Sequence, residues 1–214
     1  MEIMWYGLSC FRITERGMAS VVTDPYDHST VGYDPLKLKA EIVTASHEAA
    51  GHSFVNAVKG ASRVITGPGE FEIGGVFITG IRMEAKGGKK DGERPNTIFV
   101  FDFETVSVAH LGDLAYVPTQ AQIEDLGPVD IALVPVGGGG GMEPSQSAEV
   151  ISLIEPSIVV PMHFKTGSET TKLATLDRFL SEMGLTSVQG APVLKVTKSA
   201  LSEDTQVIVL ERTG

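Results

Sequence analysis

The chain has 214 residues, 42% of them hydrophobic and 21% charged, with a formal net charge of −10. This is the usage of one globular domain, residues 1–214, large enough to bury a real core. An acidic chain without a basic run is a poor partner for nucleic acid, which demands clustered Lys and Arg, and no apolar run approaches the roughly 18–20 residues of a membrane helix.

Met1 to Tyr6 lacks the basic start and long apolar core of a secretory signal. Cys10 is the only cysteine. That excludes an intrachain disulfide and a multi-cysteine zinc site, and it favours a reducing, cytoplasmic setting.

Short β-rich runs fill the first two thirds of the chain: Ile3–Tyr6, Phe11–Ile13, Ser20–Asp24, Ile42–Ala45, Val64–Thr66, Val76–Ile81, Thr97–Phe103, Val106–Leu111 and Ile131–Val136. Each is rich in Val, Ile, Thr or aromatic residues, with Gly, Pro or Asp between them. The segment Lys86–Arg94, broken by Asp91 and Glu93, reads as a solvated loop. Helical signals come later. Thr119–Leu126 has an N-cap candidate in Thr119 and stops at Gly127-Pro128, and Ser145–Ile154 starts after Pro144. Thr171–Met183 puts Leu173, Leu176, Leu180 and Met183 on one face, with Gly184 as C-cap. Strands follow at Ile158–Pro161, Val193–Val196 and Val207–Leu210. Ile131–Val136 and Ile158–Val160 are continuously apolar, as strands covered on both faces are. The order predicts a layered α/β or α+β sandwich.

Gly137–Gly141 is five glycines directly after an apolar strand. Met142-Glu143-Pro144 follows, not the Lys-Ser/Thr of a phosphate-cradling loop. The readings left are a connection needing positive φ, or a loop that lets a substrate approach the backbone.

Of the five histidines, His28 reads as a surface residue, and His47, His52, His110 and His163 fall at or just beyond predicted strand ends. Strand ends of layered α/β proteins share one edge, so residues distant in sequence converge there. Neutral imidazole and carboxylate both suit a divalent metal. His47 and His52 are five apart, which is not one helix face, so His47-Glu48-Ala49-Ala50-Gly51-His52 is not the H-E-x-x-H protease motif. It reads as a loop leaving a strand and entering a helix at about His52.

Ile3–Ile13 with Thr23-Asp24-Pro25-Tyr26, Gly67–Val76, Asn96–Phe99, His110-Leu111-Gly112-Asp113-Leu114, Pro135–Gly138 and Val159–Phe164 together resemble the metallo-β-lactamase superfamily, in its small-hydrolase branch related to ascorbate-6-phosphate lactonases. The resemblance implies an αββα sandwich with a metal centre at one edge. That family's signature is H-x-H-x-D-H, a further histidine, a bridging aspartate and a last histidine. Here His47 resembles the first histidine and His52 the closing one. Ala49 and Gly51 stand where a histidine and the aspartate would be. Asp113 matches the bridging aspartate and His163 the last histidine. No histidine follows the Gly80-Ile81 strand, and Leu8 replaces a common histidine. Asp24 resembles the family aspartate that supports a ligand histidine from behind, while His110 is implied to be a packed neighbour. Cys10 and Trp5 are expected in the core.

By that carry-over, one metal position keeps only His47 and a share of Asp113. The other keeps His52, Asp113 and His163, and three protein ligands plus water suit a catalytic zinc. The expectation is at most one divalent ion, Zn or Mn, with Asp113 and His52 as catalytic candidates acting on a small ester, lactone or phosphoester. The alternative is a descendant without metal that serves as a ligand-binding or assembly module. A nuclease role is disfavoured by the net charge. The resemblance further implies a small-molecule substrate and self-association into a homo-oligomer.

Overall fold

The runs Val21–Thr23 and Ile42–Thr44 are buried at every position, and the packing explains why. Alternate side chains of a strand point to opposite faces. Phe11, Ile13, Val21 and Ile42 face one apolar core, while their neighbours Cys10, Val22 and Val43 face a second. The computed structural model, which describes residues 1–84 and 95–214, thus has a sheet covered on both sides. The segment Lys86–Arg94 lies outside the described residues.

Strands β1 (Glu2–Gly7), β2 (Cys10–Thr14) and β3 (Val21–Thr23) lead into helix α1 (His28–Val31) and the short β4 (Leu38–Lys39). β5 (Ile42–Thr44), β6 (Val58–Lys59), β7 (Arg63–Ile65), β8 (Gly69–Ile73) and β9 (Val76–Met83) follow. Then come β10 (Asn96–Asp102), β11 (Ser107–His110), α2 (Gln120–Glu124), β12 (Ile131–Pro135), α3 (Pro144–Ile154) and β13 (Ile158–Met162). α4 (Leu176–Glu182), β14 (Leu194–Lys195) and β15 (Gln206–Val207) complete the order. The first sheet runs β14-β1-β2-β3-β5-β7 and the second β15-β13-β12-β11-β10-β9-β8. In the first, β3, β5 and β7 are parallel; in the second, β11, β12, β13 and β15 are. The remaining pairs of both are antiparallel. The two mixed sheets face each other across the larger core, where Trp5 packs on Phe164 and Phe11. Helices α2, α3 and α4 pack together, with α3 against β12, while α1 and the β4–β6 segment cover the first sheet.

Helix ends follow the sequence chemistry. Thr119 and Gln122 form a reciprocal capping box at α2, and Pro144 opens α3 behind the Glu143–Gln146 pair. Two expectations shift. α4 starts at Leu176, not Thr171, because residues 165–174 are held across the glycine run: Ala174 N–H donates to Gly137 O and Lys165 N–H to Ala174 O. Leu173 therefore turns into the second core. No helix begins at His52. Both His52 and Ser53 N–H donate to Ala49 O, and Asp27 N–H and Phe54 N–H tie the segment to Ala50 and Pro25, so only a single 3₁₀ turn, Val55–Ala57, follows. No helix among the described residues is long and apolar enough to cross a membrane.

Candidate metal centre

Parallel strands of the two sheets point their C-terminal ends at one edge, and the candidate residues follow those ends directly. Asp24 follows β3, Ser46 and His47 follow β5, Asp113 follows β11, and His163 follows β13. Hydrogen bonds stitch the sheets together there: Thr97 N–H to Ser46 O at 2.8 Å and His163 N–H to Leu8 O at 3.0 Å. Of the five non-glycine residues with positive φ among those described, Leu8, Asp24 and His163 surround this edge. Such conformations cost free energy and cluster where a site over-determines the backbone.

His47, His52 and Asp113 each offer a ligand atom, and the three atoms lie within 4.8 Å of one another. The tight turn at Ala49 is what brings two histidines five apart together, with ring centroids 4.2 Å from each other. His47 Nε2 stands 4.0 Å from Asp113 Oδ2. His163 addresses the other oxygen, its Nδ1 3.7 Å from Oδ1, and its ring centroid is 5.4 Å from that of His52. The edge thus gathers all four expected residues, but the tightest set is His47, His52 and Asp113, with His47 where the resemblance implied His163 and His163 on the far oxygen of Asp113. The imidazoles are buried, and Asp113 is the most exposed of the four, at 17%.

Asp24 sits behind this set, fully buried. Its Oδ2 accepts from His52 Nδ1 at 2.7 Å and from Ser46 Oγ at 2.6 Å, and its Oδ1 accepts from Ser46 N–H at 2.8 Å. Burial alone would raise this carboxyl, but His110, His52 and Ser46 outweigh it and hold it below the ordinary range. Burial pushes His163 down to about 4, against the opposing pull of Asp113, so at neutral pH it is an uncharged donor of a lone pair. His110 is lowered by burial too. Its Nε2–H donates to Ser9 O at 2.8 Å, which makes it a packed neighbour and not a member of the set. Glu48 and Glu84 are exposed, Glu84 beside Arg82, and His28 is exposed as expected.

The glycines have steric reasons that spacing does not reveal. A Cβ on Gly137 would lie 2.2 Å from His163 O, and one on Gly141 would lie 2.6 Å from Asp113 Oδ1. Gly138, Gly139 and Gly140 have positive φ. The run therefore lies against two candidate ligands. Asn96 entered the sequence reading only as part of a resembling stretch, and its role comes from the fold. Its Oδ1 accepts from Asp113 N–H at 3.0 Å and its Nδ2 donates to Leu111 O, which fixes the loop that carries Asp113.

The donor set fits a divalent ion. Asp113 Oδ1 and His163 Nδ1 are buried without a hydrogen-bond partner among the described residues, and unmade buried bonds are costly. Their separation is too long for a hydrogen bond. It is near the roughly 3.3 Å that bonds of about 2.0–2.2 Å to one tetrahedral ion impose. Imidazole and carboxylate together suit zinc.

The family model described as a β-lactamase superfamily domain matches residues 2–163, a stretch that includes every candidate ligand. A Thermotoga maritima structure, assigned to the Zn-dependent hydrolases of the metallo-β-lactamase superfamily, superposes with a TM-score of 0.79. It shares 34% identity and covers 98% of this chain and 97% of its own. A UPF0173 protein of Pyrococcus furiosus is 29% identical over 79% of this chain and 86% of its own length. A UPF0173 metal-dependent hydrolase of Thermoplasma acidophilum is 25% identical over 78% of this chain and 84% of its own length. The two mixed sheets, the strand-end histidines and these matches agree: the chain belongs to the metallo-β-lactamase superfamily, and within it to the UPF0173 metal-dependent hydrolase family.

Proposed function

We propose that the protein is a hydrolase of a small ester, lactone or phosphoester that works with a single divalent ion, zinc or manganese. The observation that carries this reading is the convergence of His47, His52 and Asp113, with His163 on the second oxygen of Asp113. An ion held by these residues would supply Lewis acidity toward the scissile group and a more acidic water. The protein's own part is to orient the His52 imidazole from Asp24 and to keep side chains away from Asp113 by means of Gly141. Asp113, the most exposed of the four, is the member best placed to meet the substrate. The glycine run beside it suits a substrate that passes close to the backbone. The sequence resemblance to the lactonase-related branch is what suggests the lactone and phosphoester classes, and a small-molecule substrate and self-association in the cytoplasm complete the reading.

The single-ion count rests on Ala49 and Gly51. Neither offers a ligand, and a Cβ at Gly51 would meet Leu8 Cδ1 at 3.4 Å and Val31 Cγ1 at 3.8 Å. A Cβ there meets only ordinary contacts, so what a second ion lacks at this loop is donors and not space. The same missing donors favour a second reading, a ligand-binding module without turnover.

The test uses chelator-stripped protein reloaded with zinc or manganese and assayed on aryl esters, lactones and phosphoesters. Hydrolysis of at least one class is expected, dependent on metal and abolished in Asp113→Asn. A protein that binds the ion but turns over none of the three classes would support the non-catalytic module instead.

A further inference from the structure

We infer that Ser46 is a positioning residue that passes the grip of Asp24 on to His47, so that one buried carboxylate presets both imidazoles of the candidate centre. This rests on the metal-centre reading only for its consequence, since the relay itself is a property of the metal-free chain.

The geometry leaves the hydroxyl little choice. Asp24 holds Ser46 at two points, backbone N–H to Oδ1 at 2.8 Å and Oγ to Oδ2 at 2.6 Å. A carboxylate only accepts, so the single Ser46 hydroxyl proton points at Oδ2. His47 Nδ1 lies 3.1 Å from the same Oγ. With its proton committed, Oγ has only lone pairs to offer, so Nδ1 of His47 carries the proton and donates. The same logic acts directly at His52, whose Nδ1 faces Asp24 Oδ2 at 2.7 Å. In its neutral form each ring therefore presents an unprotonated Nε2, and His47 directs its Nε2 toward Asp113. A histidine bound to metal through one nitrogen needs the other nitrogen's hydrogen bond to fix its tautomer and plane.

The relay is also dry. Ser46 is 1% exposed. A Cβ on Gly112 would lie 2.5 Å from Ser46 Cβ and 2.9 Å from its Oγ, so the bare glycine closes over the hydroxyl and leaves no room for a competing water. Ser46 O accepts from Thr97 N–H of the facing sheet, which fixes the serine from its other side. Ser46 touches no group that would react, so its role is orientation.

The test is long-range ¹H–¹⁵N correlation spectroscopy on metal-free protein labelled at histidine, with His47 and His52 assigned by His47→Gln and His52→Gln. Both rings are expected as the Nδ1–H tautomer in the native chain. Ser46→Ala should release His47 into a tautomer mixture, leave His52 unchanged, and weaken zinc binding about 10–100-fold. Ser46→Thr should restore the His47 tautomer and the zinc affinity. An Nε2–H signal from His47 in the native protein would overturn the relay, and that spectrum needs no variant to fold. So would an unchanged His47 tautomer in a folded Ser46→Ala. Tautomers as expected in a protein that fails to bind zinc would support the relay while removing the metal-centre reading.

Discussion

His163 concentrates several costs in one residue. It is 5% exposed, it has a positive φ of 54°, and its Nδ1 lacks a hydrogen-bond partner among the described residues. Burial lowers it to about 4. Below about pH 6.5 the unfolded chain binds a proton on this imidazole that the folded chain refuses until about pH 4. Stability is therefore complete above pH 6.5 and declines as the pH falls through that window. Urea unfolding of metal-free protein between pH 7.5 and 4 should show this acid limb, and His163→Gln should flatten it. A native protein with constant stability down to pH 4 would contradict the account. At this scale the sequence was informative where a residue type carries chemistry. His47, His52, Asp113, His163 and Asp24 could all be named before the fold. The roles of Ser46, Asn96 and Gly141 could not, because such residues are everywhere and these roles exist only through close approach in the fold.

Among the elements, the loop from His47 to His52 decides the ligand count. Its turn closes on Ala49 O, and Gly51 does not adopt a positive φ. An aspartate there meets no backbone penalty, and its Cβ approaches nothing closer than Leu8 Cδ1 at 3.4 Å. Ala49→His with Gly51→Asp is therefore expected to fold and to raise metal stoichiometry toward a second equivalent, as read by elemental analysis. Unchanged stoichiometry in a folded double variant would mean that the loop follows another path. The same loop shows where sequence patterns stop. Strands were legible because alternation and β-branched runs report burial locally. The absence of a helix after His52 and the late start of α4 were not, since both follow from hydrogen bonds to Pro25, Ala50 and Gly137, contacts made only when the chain is folded.

At the scale of the whole molecule, two sheets with parallel strands aimed at a common edge convert scattered residues into one site. That arrangement was readable as a class, because strand-first ordering and strand-end histidines both point to it. The edge strand β8 and helix α1 escaped notice. β8 carries acidic and apolar residues in exposed alternation, and α1 is a single turn held by the Asp27 cap. The account as a whole stands on one site for one ion, and calorimetric titration of zinc into chelator-stripped protein tests it most directly. Binding of a single equivalent is expected, lost in His47→Ala, His52→Ala and Asp113→Ala and weakened in His163→Ala. No binding by the native protein, two equivalents, or full retention in the His47 variant would contradict it.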